Sequence, residues 1–260
     1  MKQILDKCHS FNFSESYAYA DKVRKAIFEE RYIIEPVEVA SDIENQIAKP
    51  QQWTILHDYI DHVIHDDLGF HFRGAGWDYS CIEEVFPMLE SHGIKFLSLP
   101  RYVEEQYRDD DTGETVVVTE DLEENCKYDH ADYIKGLVMD NLPSVLTTEV
   151  FTLLFSDREA MKKFNIRIAE YLGEKTPRST YWPKWLKRAL FCREKGLCAL
   201  CKCDLSSVFH VHGKLAVDHI VPIALYGIND PTNLQILCEA CNGKKSGTVV
   251  ETSNKLPLFW

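Results

Sequence analysis

The chain has 260 residues, of which 45% are hydrophobic and 27% are charged, as in an ordinary globular protein. This composition excludes wholesale disorder and collagen-like or mucin-like architectures, and no apolar run reaches the roughly 18 residues that a membrane-spanning helix needs. The first eight residues are too poor in apolar side chains to form a signal peptide, so the sequence predicts a soluble protein of the cytoplasm.

The formal net charge of −12 is unevenly distributed along the chain. Residues 1–174 carry 17 Lys and Arg against 35 Asp and Glu, whereas residues 175–260 carry 12 against 6. This asymmetry indicates a polyanionic partner for the basic part. The charge balance changes sign in residues 173–180, a stretch with Gly, Pro and Ser. We therefore predict an acidic, mainly helical domain over 1–175 and a second domain over 179–260.

The pattern of the acidic part predicts mostly helices. Apolar residues recur at helical spacing in Tyr17–Tyr32 and from Trp53 to Gly69, and another helix is predicted to end at Gly93. In chain order, the remaining predicted elements are a strand over Ile94–Leu99, a hairpin that joins Tyr102–Tyr107 to Thr115–Thr119, and helices over Ala131–Met139, Pro143–Phe155 and Asp157–Leu172.

The predicted helix from Trp53 to Gly69 carries several histidines and aspartates. His62 follows Asp58 by four residues, so the two side chains share one face of the helix, as do His57 and Asp61. A metal site could use such a face, but a solvated acidic surface explains the pattern as well, and we favour it. No spacing within residues 1–174 predicts a functional site.

Six of the nine cysteines lie between residues 192 and 241, and four of them form two Cys-x-x-Cys pairs. The pairs are Cys198 with Cys201 and Cys238 with Cys241. Four thiolates can close a tetrahedral shell around Zn²⁺, and a closed shell is structural because no position is left open for chemistry. The other thiols nearby, either of which could substitute for a ligand, are Cys192 and Cys203.

A second group of residues lies between the two pairs. Leu215 to His219 alternates like a strand, and Leu234 to Leu237 forms a second apolar run. The intervening residues are rich in turn formers, so the sequence predicts two strands joined by a long loop, followed by a short helix that opens at the second pair. We also assign His210 and His212 to strand structure.

The order Cys-x-x-Cys, Asp-His-Ile-x-Pro, Asn-Leu-x-x-Leu-Cys-x-x-Cys-Asn-x-x-Lys resembles the HNH endonuclease family in its zinc-knuckle form. The resemblance covers roughly Arg188 to Gly247, which is under a quarter of the chain. It implies a small ββα-metal domain held together by zinc. Combined with the helices predicted before it, this domain gives an α+β fold class.

The resemblance also implies roles for individual residues. Asp218 would ligate a catalytic Mg²⁺ or Mn²⁺, and His219, whose ordinary pKa suits a base near neutral pH, would activate water. Asn242 stands where many relatives carry a histidine, and its amide oxygen would still coordinate a hard divalent ion. Asn233 would hold the long loop through hydrogen bonds to backbone and so orient His219.

Basic residues on two elements are candidate contacts to nucleic-acid phosphates. Lys245 matches the family lysine, and Lys244 stands beside it. The stretch from Pro183 to Lys195 predicts an amphipathic helix. The side chains predicted to pack on the zinc module are Trp182, Trp185, Leu186, Ala189 and Leu190. Those predicted to face outward, toward phosphates, are Lys184, Lys187, Arg188 and Arg193.

By resemblance, the chain is expected to be a metal-dependent endonuclease, with DNA favoured over RNA. Family context suggests the nuclease component of a bacterial restriction or anti-phage system, in which the acidic part would bind a partner ATPase or sensor. The alternative is a non-catalytic, zinc-stabilised module that binds nucleic acid or protein. That alternative explains the cysteines and the basic charge, but it gives Asp218, His219 and Asn242 no role.

Overall fold

The structure is a computed structural model that describes residues 10–74, 79–99, 105–108, 110–118, 120–179, 181–211 and 215–257. The chain divides into two compact units. The first comprises Met1–Glu15 and Ile64–Leu146, and the second comprises Ser16–Val63 and Thr147–Trp260. The sequence predicts a border at residues 173–180 between two parts that fold independently. This border stays a prediction.

Helices predominate, and the sheets are small, which confirms the predicted α+β class. The helices are α1 (Ser16–Glu29), α2 (Ile43–Ala48), α3 (Ile55–Gly74), α4 (Ser80–Glu83), α5 (Phe86–Ser91), α6 (Glu120–Phe155), α7 (Arg158–Leu172), α8 (Lys184–Arg193), α9 (Ser206–Val211) and α10 (Glu239–Lys244). The strands are β1 (Glu105–Arg108), β2 (Thr115–Val118), β3 (Ala216–His219) and β4 (Leu234–Leu237), paired antiparallel as β1 with β2 and β3 with β4. Among the described helices, none combines the length and the apolar character that crossing a membrane requires.

The first unit contains the predicted hairpin but not the predicted strand before it. In the hairpin Glu105 lies opposite Val118 and Arg108 opposite Thr115, whereas predicted hairpin residues 102–104 and 119 lie outside the described residues. The strand prediction for Ile94–Leu99 is wrong, because this segment has no ladder partner within the described part of the chain. A run of apolar residues is not a strand until another backbone pairs with it.

The two helices predicted around Pro143 form one continuous helix, α6. Proline removes one backbone hydrogen bond and normally ends or kinks a helix. Here Val138 and Leu142 before it and Leu146 after it are all fully buried. Because both sides of the proline bury the same apolar face, packing keeps the helix continuous through it.

In the second unit, α7 carries much of the core and confirms the helix predicted over Asp157–Leu172. The Asp157 carboxylate accepts the Ala160 amide at 3.1 Å, which caps the first turn. Gly173 ends the helix with a φ of +60°, a conformation that glycine adopts without strain. Along the buried face of α7, Phe164 and Ile168 are almost completely covered.

The His- and Asp-rich helix face also lies partly in the second unit, and it is not solvated at its start. His57 is 6% exposed and stacks between Trp53 and Phe151, and its burial lowers its pKa to about 4. Asp58 is 9% exposed and accepts the Trp53 indole N–H at 2.7 Å. The favoured interpretation of a solvated face is therefore wrong for these two side chains, which belong to the core.

The C-terminal part of the second unit has the predicted strand–loop–strand–helix order. In the β3–β4 hairpin Asp218 lies opposite Gln235 and His219 opposite Leu234. Helix α10 follows β4 directly. Helix α8 packs against β4, and its Leu186 and Leu190 are fully buried in the core of this part.

Of the two histidines predicted to lie in a strand, the structure describes one, His210, and for it the prediction is wrong. His210 lies in helix α9, which follows Asp204, whose carboxylate accepts the Ser206 amide at 2.8 Å. Such a side-chain acceptor favours a helix start. His212 lies outside the described residues.

A buried charge cluster lies between α7 and α8. The Glu194 carboxylate forms ion pairs with Arg158 and with Arg193, whose Nη2 lies 2.7 Å from Glu194 Oε1. Arg193 also donates to the Leu234 carbonyl, so it contacts β4. The outward orientation predicted for Arg193 is wrong, since its side chain is 1% exposed. The carboxylate and the carbonyl offset part of the cost of burying this guanidinium, although Arg193 Nη1 has no hydrogen-bond partner within the described residues.

We predict that Glu194→Gln destabilises the protein by roughly 3–5 kcal/mol, because it leaves two buried guanidinium groups without a compensating charge. Urea unfolding of the full chain measures the change. The matched control is Glu159→Gln, which removes a carboxylate whose pair with Lys162 is partly exposed and should cost less than about 1 kcal/mol. Equal losses in the two variants would contradict the prediction.

Candidate active site and metal centre

The zinc prediction corresponds to a compact cluster of thiols. The sulfur atoms of Cys198, Cys201, Cys203 and Cys238 all lie within 4.8 Å of one another. Cys241 adjoins them, because its amide donates to Cys238 Sγ at 3.3 Å, and its thiol interacts electrostatically with those of Cys238, Cys201 and Cys198. Four sulfur ligands at this spacing suit Zn²⁺. Cys203, which the sequence suggested only as a substitute, is a member of the cluster.

Backbone hydrogen bonds prepare this cluster for a metal and attach it to the hairpin. The Cys238 amide donates to Cys198 Sγ at 3.3 Å. A backbone hydrogen bond involving Cys203 lowers the pKa of Cys201 to about 6 and so favours its thiolate, whereas burial raises the pKa of Cys203 and of Cys241 to about 12. The Ala199 amide donates to the Ile236 carbonyl at 3.0 Å. The first cysteine loop is thereby fixed against β4.

Asp218 projects from β3 into a network of nitrogen donors. Its Oδ2 lies 2.9 Å from Lys245 Nζ and accepts a hydrogen bond from Gln235 Nε2 at 3.0 Å. Lys245 also donates to the His219 carbonyl at 2.7 Å, and its side chain is only 2% exposed. The ammonium predicted to contact phosphate therefore lies against the predicted metal ligand. Asp218 Oδ1 takes no part in these two contacts.

His219 ends β3 and is 8% exposed. Its Nε2 lies 3.0 Å from Asn229 Oδ1, and the Trp182 ring packs edge-on at 5.6 Å between centroids. Burial is the main cause that lowers the pKa of His219, while the hydrogen bond to Asn229 partly opposes it. A lowered pKa favours the neutral imidazole, which is the form that can accept a proton.

Asn233 makes the backbone contacts expected of a residue that holds the long loop. Its Oδ1 accepts the Val221 amide at 2.8 Å, and its Nδ2 donates to the carbonyls of Val221 at 3.0 Å and Ile228 at 2.9 Å. The side chain is fully buried. The Asn233 side chain thus holds both Val221 and Ile228 by hydrogen bonds, and Val221 lies two residues after His219.

Asn242 lies apart from this network. It is exposed on α10 and lines a surface groove of about 540 Å³ together with Ala216 and Glu239. Within the described residues no hydrogen bond joins Asn242 to Asp218 or to His219. The structure therefore brings the Asp218 carboxylate and the His219 backbone carbonyl together on Lys245, whereas the His219 imidazole contacts Asn229 and Trp182. Asn242 lies on the neighbouring helix.

The candidate phosphate contacts differ in exposure. Lys244 and Arg188 are exposed, whereas Lys187 is half-buried. Lys244 ends α10, while the other two lie on α8. These three cations can reach a polyanion at the surface, in contrast to Lys245.

Two residues near the site were missed from the sequence. Asn229 lies in a run of turn-forming residues, where asparagine is common, so its position did not indicate a functional role. Gln235 lies in an apolar strand, but pairing β3 with β4 in their observed register would have placed it opposite Asp218. Its Oε1 is buried and has no hydrogen-bond partner within the described residues.

The oxygen atoms near Asp218 fit a hard divalent ion. Asp218 supplies a carboxylate, and the unpartnered Gln235 Oε1 is a further neutral oxygen beside it. Oxygen donors of this kind suit Mg²⁺ or Mn²⁺ and do not favour the softer metals that prefer thiolates. The sulfur cluster and the oxygen group therefore differ in the metals they select.

Comparison with known proteins gives one family. The model of the HNH endonuclease family matches residues 198–248, which include the five clustered cysteines, Asp218, His219, Asn233 and Asn242. No curated protein and no solved structure matches the chain. The match supports a nuclease-type function with a nucleic-acid substrate for this segment, and the thiol cluster is consistent with the zinc-knuckle form.

We predict that Cys203→Ser and Cys241→Ser each keep one zinc per chain, since either thiol can complete a shell with Cys198, Cys201 and Cys238. The double variant should lose the metal, because three sulfur ligands do not close the tetrahedron. Zinc per chain is measured by mass spectrometry of the purified protein. Cys192→Ser, which changes an exposed thiol outside the cluster, is the control. Loss of zinc in one single variant would assign the fourth ligand to that residue.

Proposed function

We propose that the chain is a metal-dependent endonuclease that hydrolyses phosphodiester bonds, with His219 as the general base and Asp218 as a ligand of the catalytic ion. DNA is the favoured substrate. The observation that carries the proposal is the buried His219 imidazole, held through one nitrogen by Asn229 and directly following Asp218 in the chain, within a segment that matches HNH endonucleases.

The hydrogen bonds around His219 decide which of its nitrogens can act as base. Asn229 Nδ2 donates to the carbonyls of Ala48 and Pro177, both at 2.8 Å. This places Asn229 Oδ1, an acceptor, toward His219, so Nε2 carries the proton and donates it. Nδ1 then has the lone pair that removes a proton from the attacking water.

Asp218 and its neighbours would hold the catalytic Mg²⁺ or Mn²⁺. When bound, such an ion polarises the scissile phosphate and neutralises the charge that develops on the leaving oxygen. The contacts of Lys245 and Gln235 with Oδ2 fix the orientation of the carboxylate and leave Oδ1 as its ligand atom. Asn242 is the second proposed ligand, on the family pattern.

The exposed cations would bind the nucleic-acid backbone. Lys244 on α10 and Lys187 and Arg188 on α8 lie in the part of the chain with excess positive charge. Such contacts neutralise phosphates and position the strand, and they carry no base specificity by themselves.

The competing function is a zinc-stabilised binding module without catalysis. The thiol cluster is compatible with it. A binding module has no need for a buried imidazole with one nitrogen held by an amide, or for a carboxylate fixed by two donors, and so we favour the endonuclease. The defence role and the ATPase or sensor partner stay predictions from family context and from the acidic charge of residues 1–174.

The purified full chain should nick or cut plasmid DNA with Mg²⁺ or Mn²⁺ and lose this activity in EDTA. His219→Ala should reduce the rate by at least about 10²-fold, the scale of a general base, while zinc content is unchanged and the protein stays folded at the assay temperature. His62→Ala, a half-buried histidine on α3, is the control. Linear DNA and RNA substrates define the preference. Cleavage by His219→Ala at the parental rate would refute its role, and activity in EDTA would refute metal dependence.

We predict that Asp218→Asn and Asn242→Ala each raise the Mg²⁺ concentration for half-maximal cleavage by tenfold or more, since outer-shell changes alone weaken metal binding by about 10–100-fold. Mn²⁺ binding, followed by electron paramagnetic resonance, provides a readout that does not need activity. Asp204→Asn is the control, because this exposed carboxylate accepts the Ser206 amide and is not among the proposed metal ligands. An unchanged metal requirement in either variant would remove that residue from the ligand set.

A further inference from the structure

We propose that Asn229 is a positioning residue for His219, and that α2 and Pro177, both outside the segment matching HNH endonucleases, hold Asn229 in place. The inference rests on the proposed function, because it assigns the support of the general base. It also assigns helix α2, in the N-terminal part of the second unit, a supporting role in the cleavage reaction.

Every polar group of the Asn229 side chain has a partner. Oδ1 faces His219 Nε2 at 3.0 Å, and Nδ2 donates to the carbonyls of Ala48 and Pro177. The Asn229 backbone amide donates to the Ile47 carbonyl at 3.0 Å. The Asn229 side chain itself is fully buried, so its amide group is shielded from bulk water.

The two carbonyls fix the orientation of the amide. If it turned over, Oδ1 would face two carbonyl oxygens, and Nδ2 would direct its hydrogens at His219. The first change leaves a buried amide oxygen facing two acceptors and no donor, which is costly. The backbone of Ala48 and Pro177 therefore determines, through Asn229, which imidazole nitrogen carries the proton.

Helix α2, which carries Ala48, is itself fixed to the core of the second unit. Gln46, in the same helix as Ala48, is 2% exposed and donates to Asp58 Oδ2 at 2.7 Å. Asp230, which follows Asn229, accepts the Ile55 amide at 3.1 Å at the start of α3. The loop that holds Asn229 is thus docked on α2 and α3.

A third contact secures the loop from α7. Thr232 Oγ1 accepts a hydrogen bond from Asn165 Nδ2 at 3.1 Å and donates to Asp230 Oδ1 at 2.6 Å. Asn165 is as buried as Asn229 and also joins a helix to this loop, but its side chain is bonded to Thr232 and to the Met161 carbonyl. It therefore provides a matched control that leaves the acceptor of His219 intact.

The test compares Asn229→Ala with Asn165→Ala in the full chain. Asn229→Ala should lower kcat for plasmid cleavage on the order of 10²-fold, the cost of a misplaced catalytic group, and should leave KM within threefold because it removes no cation. Asn165→Ala should lower the unfolding temperature but keep kcat within about threefold below that temperature. Equal losses of kcat in the two variants would overturn the proposal.

The tautomer of His219 gives a second readout that needs no cleavage. In protein labelled with ¹⁵N-histidine, the His219 signals, identified by their loss in His219→Ala, should show a protonated Nε2 and an unprotonated Nδ1. Asn229→Ala should lose this pattern, whereas Asn165→Ala should keep it. A protonated Nδ1 in the parental protein would overturn the proposal.

Asn229→Asp keeps the proposal falsifiable if the alanine variant does not fold. The introduced carboxylate can still accept the Nε2 proton, but its second oxygen has no hydrogen to donate to the carbonyls of Ala48 and Pro177. We expect the Nε2–H pattern to persist and the unfolding temperature to fall. Loss of the pattern in this variant would count against Asn229 as the acceptor. Absence of cleavage by the parental protein would instead refute the proposed function, since the tautomer is measured separately.

Discussion

Burial of the His219 imidazole is the constraint on which the rest of the site depends. A polar ring removed from water must find hydrogen-bond partners inside the protein. Asn229 supplies one partner, and the loop that carries Asn229 then needs partners of its own. They come from Asn233, from the start of α3 and from α7. The need for buried hydrogen-bond partners thus links His219 to the core helices through Asn229 and its loop.

The strands that carry the site are short, and they are stabilised from both sides. A two-stranded hairpin of four-residue strands has little stability in water. The thiol cluster fixes one side of it, since Ala199 bonds to β4 beside Cys198. The buried ion pairs of Glu194 and the contact of Arg193 with β4 fix another. The thiol cluster and the packing of helices thus provide the stability that the hairpin alone lacks.

Residues with distinctive chemistry at fixed spacing could be predicted from the sequence. The cysteine pairs, the Asp218–His219 pair and the strand–loop–strand–helix order all carry local signals. Asn229, Gln235 and the burial of Arg193 carry none, because their partners are distant in sequence and any turn, strand or surface helix could contain them. The continuity of α6 was missed for a similar reason. Sequence rules for helix ends take account of Pro143, but not of the apolar face that packs on both sides of it.

The bond between Asn229 and Ala48 joins residues 181 positions apart, and this has a consequence for biosynthesis. Contacts so distant along the chain close late, because the intervening polypeptide must first be made and ordered. Residues near 48 leave the ribosome long before those near 229 exist. In a nascent chain the His219 imidazole therefore has no fixed hydrogen-bond acceptor until residue 229 has been made and has docked on Ala48.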